Sequence, residues 1–465
     1  MMSVVCREFA ANLPQREPAT PRRAGSVGYT APNTIALPAR FDMNSSKPAA
    51  LLSALSRVRV PLVAAAVVAA LGTAPAGAQT QPAKPAGKLV AQAQPQQPLP
   101  QGQTFEEEIV PQRYANNAKV DAFIDEMVSR NGFDSASLHA LFSRISYSAT
   151  AVKLVKPAPS PTVKNWRVYR SRFIEPIRIN AGVKFWKANQ ATLQRASEQF
   201  GVPPEVIVGI IGVETIYGRY MGNFRVLDAL TTLTFDYPDT PNRDSRQATF
   251  RKNLEDFLVW TRDNQLDPTT VLGSYTGAIG IPQFLPSSIR EYAVDFDGTG
   301  HVDLRSSPAD AIGSVANYLK QHGWETDRPV VWQITPDTGS LGIAQAAADG
   351  QPEPHWALSQ LTRAGMTLNE PTVNITTEAG TPVTVVDLPS PGRATEYMLG
   401  LKNFYVLTRY NRSFFYALTV YQLGEAVKAQ MEASGALKPA AADDDAQSQS
   451  QSQSQSQSQS QSQSQ

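Results

Sequence analysis

The chain has 465 residues, a length that allows two or three domains and a substantial hydrophobic core. Its 42 basic and 41 acidic residues give a formal net charge of +1. Nothing in this balance indicates a polyanion-binding surface, so we expect no nucleic-acid partner. The single cysteine, Cys6, excludes a fold that depends on intramolecular disulfides.

The first 78 residues predict export rather than a folded domain. Residues 1–42 have no sustained apolar period, and we interpret them as an extension upstream of the true start at Met43. Within 43–78, basic residues precede the apolar run 60–71, and small residues at a signal-peptidase spacing end at Ala78. The run is shorter than the ~20 residues that cross a bilayer, so it predicts a cleaved signal peptide and no membrane span.

Cleavage after Ala78 predicts a periplasmic protein without a lipid, because no cysteine lies at the cleavage site. The Pro- and Gln-rich segment 79–103 is predicted to be a disordered linker, and residues 104–432 the folded domain. The acidic and Gln/Ser-rich tail, 433–465, is predicted to be disordered. Periodic apolar residues predict the first helices of the domain at 120–127, 135–143, 166–173 and 184–200.

The next predicted helix carries one carboxyl group in an apolar setting. It begins at Pro203 and Pro204, whose fixed φ suits a first turn, and ends near Gly218. Glu214 shares a face with the isoleucines three, four and seven residues before it. Loss of water there raises the pKa of a carboxyl group, which suits a general acid near neutral pH. The alternative is a structural carboxylate paired with a nearby Arg219.

Beyond this helix the sequence predicts more helices and a small sheet. The polar stretch 237–250 is predicted to be a loop that contains Arg243 and Arg246. Apolar periodicity predicts helices at 250–262, 308–322 and 413–431, and alternation predicts strands at 330–334 and 383–388. The four histidines are scattered and form no zinc-binding pattern.

One short stretch has the spacing of a calcium-binding loop. Oxygen-bearing side chains at Asp295, Asp297, Thr299 and Asp303 match positions 1, 3, 5 and 9 of an EF-hand loop, and Gly300 occupies its turn position. Position 12 is Ser306, where a bidentate glutamate belongs. The alternative is an Asp/Gly turn that caps the following helix.

Four motifs in order resemble those of a known family, the lytic murein transglycosylase B family. Pro204–Arg219 is similar to the catalytic helix of that family. The later motifs are Gly273–Ser288, then Tyr292–His301 with Asp310–Tyr318, then Asn403–Asn411 with Tyr416. The resemblance runs from about Ala118 to about Ala429, roughly two thirds of the chain.

The resemblance implies a mainly α-helical, lysozyme-like catalytic domain with a small accessory β-sheet and an EF-hand-like loop. It implies that Glu214 is the catalytic residue and that the substrate is bound by Tyr169, Ser274, Gln283, Tyr318, Tyr410, Asn411 and Tyr416. A structural calcium ion would be bound by Asp295, Asp297, Thr299, His301 through its carbonyl, and Asp310. No cofactor is implied for the chemistry itself.

The implied function is cleavage of the β-1,4 bond between N-acetylmuramic acid and N-acetylglucosamine in peptidoglycan glycan strands. Glu214 alone would serve as acid and base, because the muramyl 6-hydroxyl attacks C1 in place of water. One alternative is a lysozyme-type hydrolase, in which Asp228 or Asp236 could supply the second carboxylate. Another is a non-catalytic murein-binding scaffold. We expect a monomer, with other cell-wall enzymes as further candidate partners.

Overall fold

The computed structural model describes residues 113–157 and 163–437, all within one of the two units into which the chain divides. The predicted extension 1–42, signal peptide 43–78 and linker 79–103 lie outside the described residues, as does the tail beyond 437. Within the described ranges, no helix combines the length and apolarity needed to cross a membrane.

Helices dominate the described residues, and short antiparallel strands form the rest of the regular structure. The helices are α1 Ala118–Asn131, α2 Ser135–Phe142, α3 Ala149–Val155, α4 Trp166–Ser171, α5 Pro176–Ala188, α6 Gln190–Phe200, α7 Pro204–Thr215, α8 Val226–Phe235, α9 Arg243–Asp263, α10 Pro286–Tyr292, α11 Pro308–Gln321, α12 Thr338–Ala347, α13 Leu358–Arg363, α14 Lys402–Tyr410 and α15 Phe414–Ala433. The strands are β1 Phe224–Arg225, β2 Leu272–Gly273, β3 Val331–Gln333, β4 Trp356–Ala357, β5 Pro382–Leu388 and β6 Glu396–Gly400.

The centre of the fold is the antiparallel pair α7 and α15. Near one end, Lys428 Nζ lies 2.8 Å from Glu205 Oε1, and near the other, Tyr416 meets Glu214. Between them Gly209 lies directly against the backbone of α15, so closely that a Cβ atom there would overlap the Val420 carbonyl. Close approach of the two backbones therefore sets the position of Glu214 relative to α15.

The accessory sheet has the strand order β3-β6-β5-β4, with every neighbouring pair antiparallel. Both of its faces are buried, because alternate side chains of β5 enter different cores. Val383 and Val385 pack in a small cluster with residues of α12 and α13, whereas Val386 and Leu388 join the main hydrophobic core. The predicted strands at 330–334 and 383–388 are present as β3 and β5, and β4 and β6 complete the sheet.

Several predicted helix boundaries were wrong for identifiable reasons. The helix predicted at 184–200 is two helices, since the backbone at Asn189 leaves the helical conformation, with φ −122° and ψ 22°, and its side chain donates to the Phe185 carbonyl, 2.8 Å away. The stretch 237–250 is not all loop, because α9 begins at Arg243. At the C-terminus, the last helix reaches Ala433 and Leu437 still packs on the core, so ordered structure passes residue 432.

Candidate active site

Glu214 lies in the last turn of α7 with 9% of its surface exposed. Its carboxyl group accepts a hydrogen bond from the Tyr416 hydroxyl, with 2.6 Å between Oη and Oε1. Burial raises the pKa of Glu214 to about 7, and the hydrogen bond from Tyr416 partly opposes that rise. Arg219, the partner that the structural alternative required, is exposed. The carboxyl group is therefore poised to hold or release a proton near neutral pH.

The chain immediately after Glu214 adopts an unusual backbone conformation. Helix α7 ends at Thr215, three residues before the predicted stop at Gly218, because Ile216 and Tyr217 have φ values of 49° and 59°. Left-handed conformations are unfavourable for residues other than glycine, particularly for a β-branched residue such as Ile216. Each costs on the order of 1–3 kcal/mol. Backbone strain of this kind clusters at functional sites, which supports a functional role for this helix end.

Thr215 fixes the strained helix end to the second motif, Gly273–Ser288. Its buried hydroxyl donates to the Ile281 carbonyl at 2.9 Å and accepts from the Gly218 amide at 2.9 Å. The side chain thus joins α7 to the loop that precedes α10. Because Thr215 follows Glu214 directly, this link positions the carboxyl group without touching it.

Of the polar residues predicted in the second motif, Ser274 and Gln283 have different surroundings. Ser274 is fully buried, and its hydroxyl accepts from the amides of Thr276 and Ala278, so it stabilises its own turn. Gln283 has a φ of 52°, and its Nε2 donates to the carbonyls of Met221 and Gly280. Its buried Oε1 has no hydrogen-bond partner among the described residues, which leaves an oriented acceptor for a ligand.

The predicted tyrosines form two groups, one of which includes Tyr416 and Tyr410 beside Glu214. The Tyr410 ring stacks on that of Tyr416, with centroids 6.3 Å apart, and Tyr318 meets Tyr410 edge-on at 4.9 Å. Tyr169 packs instead with Trp166, Phe173 and Phe415. Burial, followed by the nearby Glu214 charge, raises the pKa of Tyr416 and of Tyr410 well above the usual value for a phenol. Both phenols therefore remain neutral donors at physiological pH.

Asn411 follows Tyr410 and offers a further unused polar atom. Its Oδ1 accepts from the Ser413 amide at 3.2 Å, whereas its buried Nδ2 has no hydrogen-bond partner in the described ranges. Asn411 Nδ2 and Gln283 Oε1 thus provide one donor and one acceptor that a polar ligand could satisfy.

A cavity of about 780 Å³ opens beside this cluster. Gln283, Tyr318 and Tyr410 line it, and Glu214 is linked to it through the stacked rings of Tyr410 and Tyr416. Another wall is one face of α9, on which the lining residues from Ser245 to Asp256 recur at helical spacing. The volume is in the range of small-molecule and saccharide sites, and aromatic rings suit the apolar faces of sugars.

The carboxylates considered as partners for a hydrolase have structural roles. Asp236 receives a two-pronged bond from Arg113, with distances of 2.7 and 3.0 Å, and a further bond from the Tyr114 hydroxyl. Asp228 is buried and lies 3.2 Å from Arg225. Neither residue lines the cavity.

In the predicted calcium loop, the carboxylates of Asp295, Asp297 and Asp310 present oxygen atoms within 4.8 Å of one another. Asp310 is fully buried and accepts from the amides of Phe296, Asp297 and Asp303 at 2.7–3.2 Å. The Thr299 hydroxyl is 3.3 Å from the His301 carbonyl, so both predicted oxygen donors are adjacent. The cap of α11 is the Ser307 side chain, which accepts from the Asp310 amide.

Comparison with known proteins identifies the family to which this chain belongs. Residues 115–425 match the transglycosylase SLT domain. The chain belongs to this family of transglycosylases.

Individual relatives match the chain across the same region. Membrane-bound lytic murein transglycosylase B of Escherichia coli (strain K12) is 42% identical over 325 residues, which is 68% of this chain and 84% of that protein. The crystal structure of soluble lytic transglycosylase SltB1 from Pseudomonas aeruginosa matches at 43% identity and a TM-score of 0.60, over 67% of this chain and 99% of that one. The Escherichia coli lytic transglycosylase Slt35 in complex with calcium matches at 40% identity and a TM-score of 0.59, over 70% and 98%.

These matches confirm the family, the mainly helical, lysozyme-like fold and the enzymatic function that the four motifs predicted. The protein is a lytic transglycosylase. Two features of its site were missed at the level of sequence, namely Thr215 as the link between motifs and the α9 wall of the cavity. Thr215 had a detectable signal, since it directly follows Glu214 at a helix end. The first two turns of α9 gave no sequence signal for a helix, because they carry no apolar stripe.

Proposed function

We propose that this transglycosylase cleaves the β-1,4 bond between N-acetylmuramic acid and N-acetylglucosamine in peptidoglycan, with Glu214 as its single acid and base. The observation that carries the proposal is the buried Glu214 carboxyl group, with a pKa of about 7 and a hydrogen bond from Tyr416 on one oxygen. That bond orients the carboxyl group and leaves its other oxygen for the substrate.

The reaction needs two proton transfers by the same group. Glu214 first donates its proton to the glycosidic oxygen as the bond from that oxygen to C1 breaks, and N-acetylglucosamine leaves with a free hydroxyl. The ionised carboxylate, stabilised by the Tyr416 hydroxyl, then removes the proton of the muramyl 6-hydroxyl. The 6-oxygen bonds to C1, which closes a 1,6-anhydro ring and restores the protonated acid. No water molecule and no second carboxylate are consumed.

The products of a digest test this mechanism directly. Murein sacculi treated with the purified enzyme should yield muramyl ends that are 1,6-anhydro and non-reducing. Mass spectrometry detects them, because each such product is lighter by one water molecule, about 18 Da, than the product of hydrolysis. Reducing muramyl ends would instead assign water as the acceptor and a hydrolase mechanism.

We further propose that the loop from Asp295 to Asp310 binds a structural calcium ion. Oxygen donors are the ligands that calcium prefers, and three carboxylates lie close enough to share one ion. The relative Slt35 has been crystallised in complex with calcium. Asp295, Asp297 and Asp310 would provide carboxylate oxygens, with Thr299 and the His301 carbonyl as further donors. The ion would stabilise the loop and take no part in bond cleavage.

Calcium is expected to raise the melting temperature, since a ligand that binds only the folded state stabilises it by about 2.7 kcal/mol at a hundredfold excess over Kd. Asp295→Ala should abolish the increase. Asp134→Ala is the matched control, because Asp134 also accepts from a backbone amide, that of Ser137 at the start of α2, but lies outside the loop. Differential scanning calorimetry with calcium and with a chelator measures the effect. Equal melting temperatures in the two conditions would contradict the proposal.

We also propose that the protein is exported to the periplasm without a lipid anchor. The basic, apolar and small-residue pattern before Gln79 supports this proposal. N-terminal sequencing of protein recovered from the periplasmic fraction should start at Gln79. A mature chain that retains Arg22 or carries a lipid would be inconsistent with export by this route.

A further inference from the structure

The cavity wall carries a charged cluster that the proposed mechanism does not use. It consists of Lys252 and Asp256 on α9 and Arg290 on α10. Lys252 Nζ lies 2.6 Å from both oxygens of Asp256, and Arg290 Nη1 donates to the same carboxylate. The Asp256 side chain is only 3% exposed, whereas those of Lys252 and Arg290 are 50% and 40% exposed. The carboxylate is therefore covered, and the two cations form the accessible surface.

With two cations and one buried carboxylate, the cluster has a net charge of +1. One cation would compensate Asp256, and the second leaves an excess charge at the cavity wall. The other charged lining residues, Arg409 and Glu291, cancel each other. Burial lowers the pKa of His322, which also lines the cavity, so this ring adds no charge at neutral pH. A concave wall with a net positive charge concentrates anions.

We propose that Lys252 and Arg290, held in place by Asp256, bind a free carboxylate of the peptide stem that the muramyl residue carries. The inference rests on the proposed cleavage of peptidoglycan at the adjoining site. The N-acetylated sugars of such a strand are neutral, and the lactyl group is joined to the peptide as an amide. The carboxylates of the substrate therefore lie in its stems. A subsite for one of them would make this wall a determinant of specificity.

The position of the charged cluster suits a peptide attached beside the sugar chain better than it suits a sugar ring. The aromatic part of the cavity, around Tyr318 and Tyr410, provides ring faces for sugars. The charged part, between α9 and α10, provides hydrogen-bond donors with positive charge, which bind carboxylates more strongly than neutral donors do. Lys252 and Arg290 are thus specificity residues, distinct from Glu214.

The experiment measures binding with Glu214→Gln as the parent, so that no bond is cleaved and the result does not depend on the products of the reaction. Two ligands of equal size are compared by calorimetry: a glucosaminyl-muramyl peptide with free stem carboxylates, and the same compound with those carboxylates converted to amides. Lys252→Met and Arg290→Met should each weaken binding of the free acid about 3- to 10-fold more than binding of the amide. Each single variant leaves Asp256 with one cation, which preserves the fold.

Arg251→Met is the matched control. Arg251 precedes Lys252 on α9 but pairs with Glu126 at 2.7 Å and lies over the Phe123 ring, outside the cavity. It should leave the ratio of the two affinities unchanged, and the charge-conserving Lys252→Arg and Arg290→Lys should restore it. In the parent itself, added salt should reduce the preference for the free acid. A ratio that is the same in all variants and insensitive to salt would overturn the proposal.

Discussion

Replacing Glu214 with glutamine is expected to lower turnover of murein by at least about 10²–10⁴-fold, the usual contribution of general acid–base catalysis. Glutamine keeps the shape of the side chain and can still accept from Tyr416, but it cannot donate the proton to the glycosidic oxygen. In the proposed mechanism one group performs both transfers, so both are lost together. Release of soluble muropeptides from sacculi, followed over time, measures the effect. Appreciable residual turnover would assign Glu214 a structural role.

The same substitution provides a measurement of fold and pKa that is independent of activity. Burial raises the pKa of Glu214 from 4.5 to about 7, so the folded state holds this proton more tightly than the unfolded state. The free energy of unfolding of the wild type should therefore decrease as pH rises from about 4.5 to about 7, by up to roughly 3 kcal/mol. Glutamine does not ionise, so the free energy of unfolding of Glu214→Gln should not decrease in this way. Glu214→Gln should equal the wild type in stability at pH 4 and exceed it at pH 8.

Activity of the wild type should follow the same ionisation. The first step requires the protonated acid, so the rate should decline as pH rises above about 7. The pH dependence of kcat/KM on a soluble glycan and urea unfolding at several pH values report the two effects separately. A rate that continues to rise to pH 9 would be incompatible with Glu214 as the acid.

Gly209→Ala is expected to destabilise the domain and to disturb the active site together. Its Cβ atom would overlap the Val420 carbonyl, a backbone atom that can move only if α15 moves. Overpacking of this kind typically costs about 1–3 kcal/mol. Since Tyr416 and Glu214 meet across the same helix pair, displacement of α15 should lengthen their hydrogen bond and reduce activity as well.

Gly342→Ala is the matched control for that prediction. Gly342 lies within α12, and a Cβ atom there would meet nothing within 4 Å. Alanine is favoured over glycine inside a helix by about 0.8–1.0 kcal/mol, so this variant should be slightly more stable than the wild type. Thermal unfolding and murein digestion of both variants provide the comparison. A stable, active Gly209→Ala enzyme would show that the two helices are not closely fixed.

The sequence alone determined the local features of this protein. The acid is recognisable because its helix is apolar apart from one carboxylate, and an apolar helix predicts the burial that raises the pKa of Glu214. The strands β3 and β5 and most helices follow from periodicity, which is also a local property. The oxygen-rich spacing of residues 295–303 likewise identified the segment whose carboxylates lie together in the structure.

Tertiary structure decided everything that depends on contacts between distant segments. Tyr416 reaches Glu214 across 202 positions of sequence because glycines let α7 and α15 approach closely, and no local pattern encodes that pairing. Helix α9 begins seven residues before its apolar period, since its first turns face a cavity rather than a core and so need no apolar stripe. The Ser274 hydroxyl stabilises the turn in which it lies. Lys252 and Arg290 are brought together by their ion pairs with Asp256. A single sequence specifies which side chains can react, but packing specifies which of them meet, because the free energy of each such contact depends on both partners.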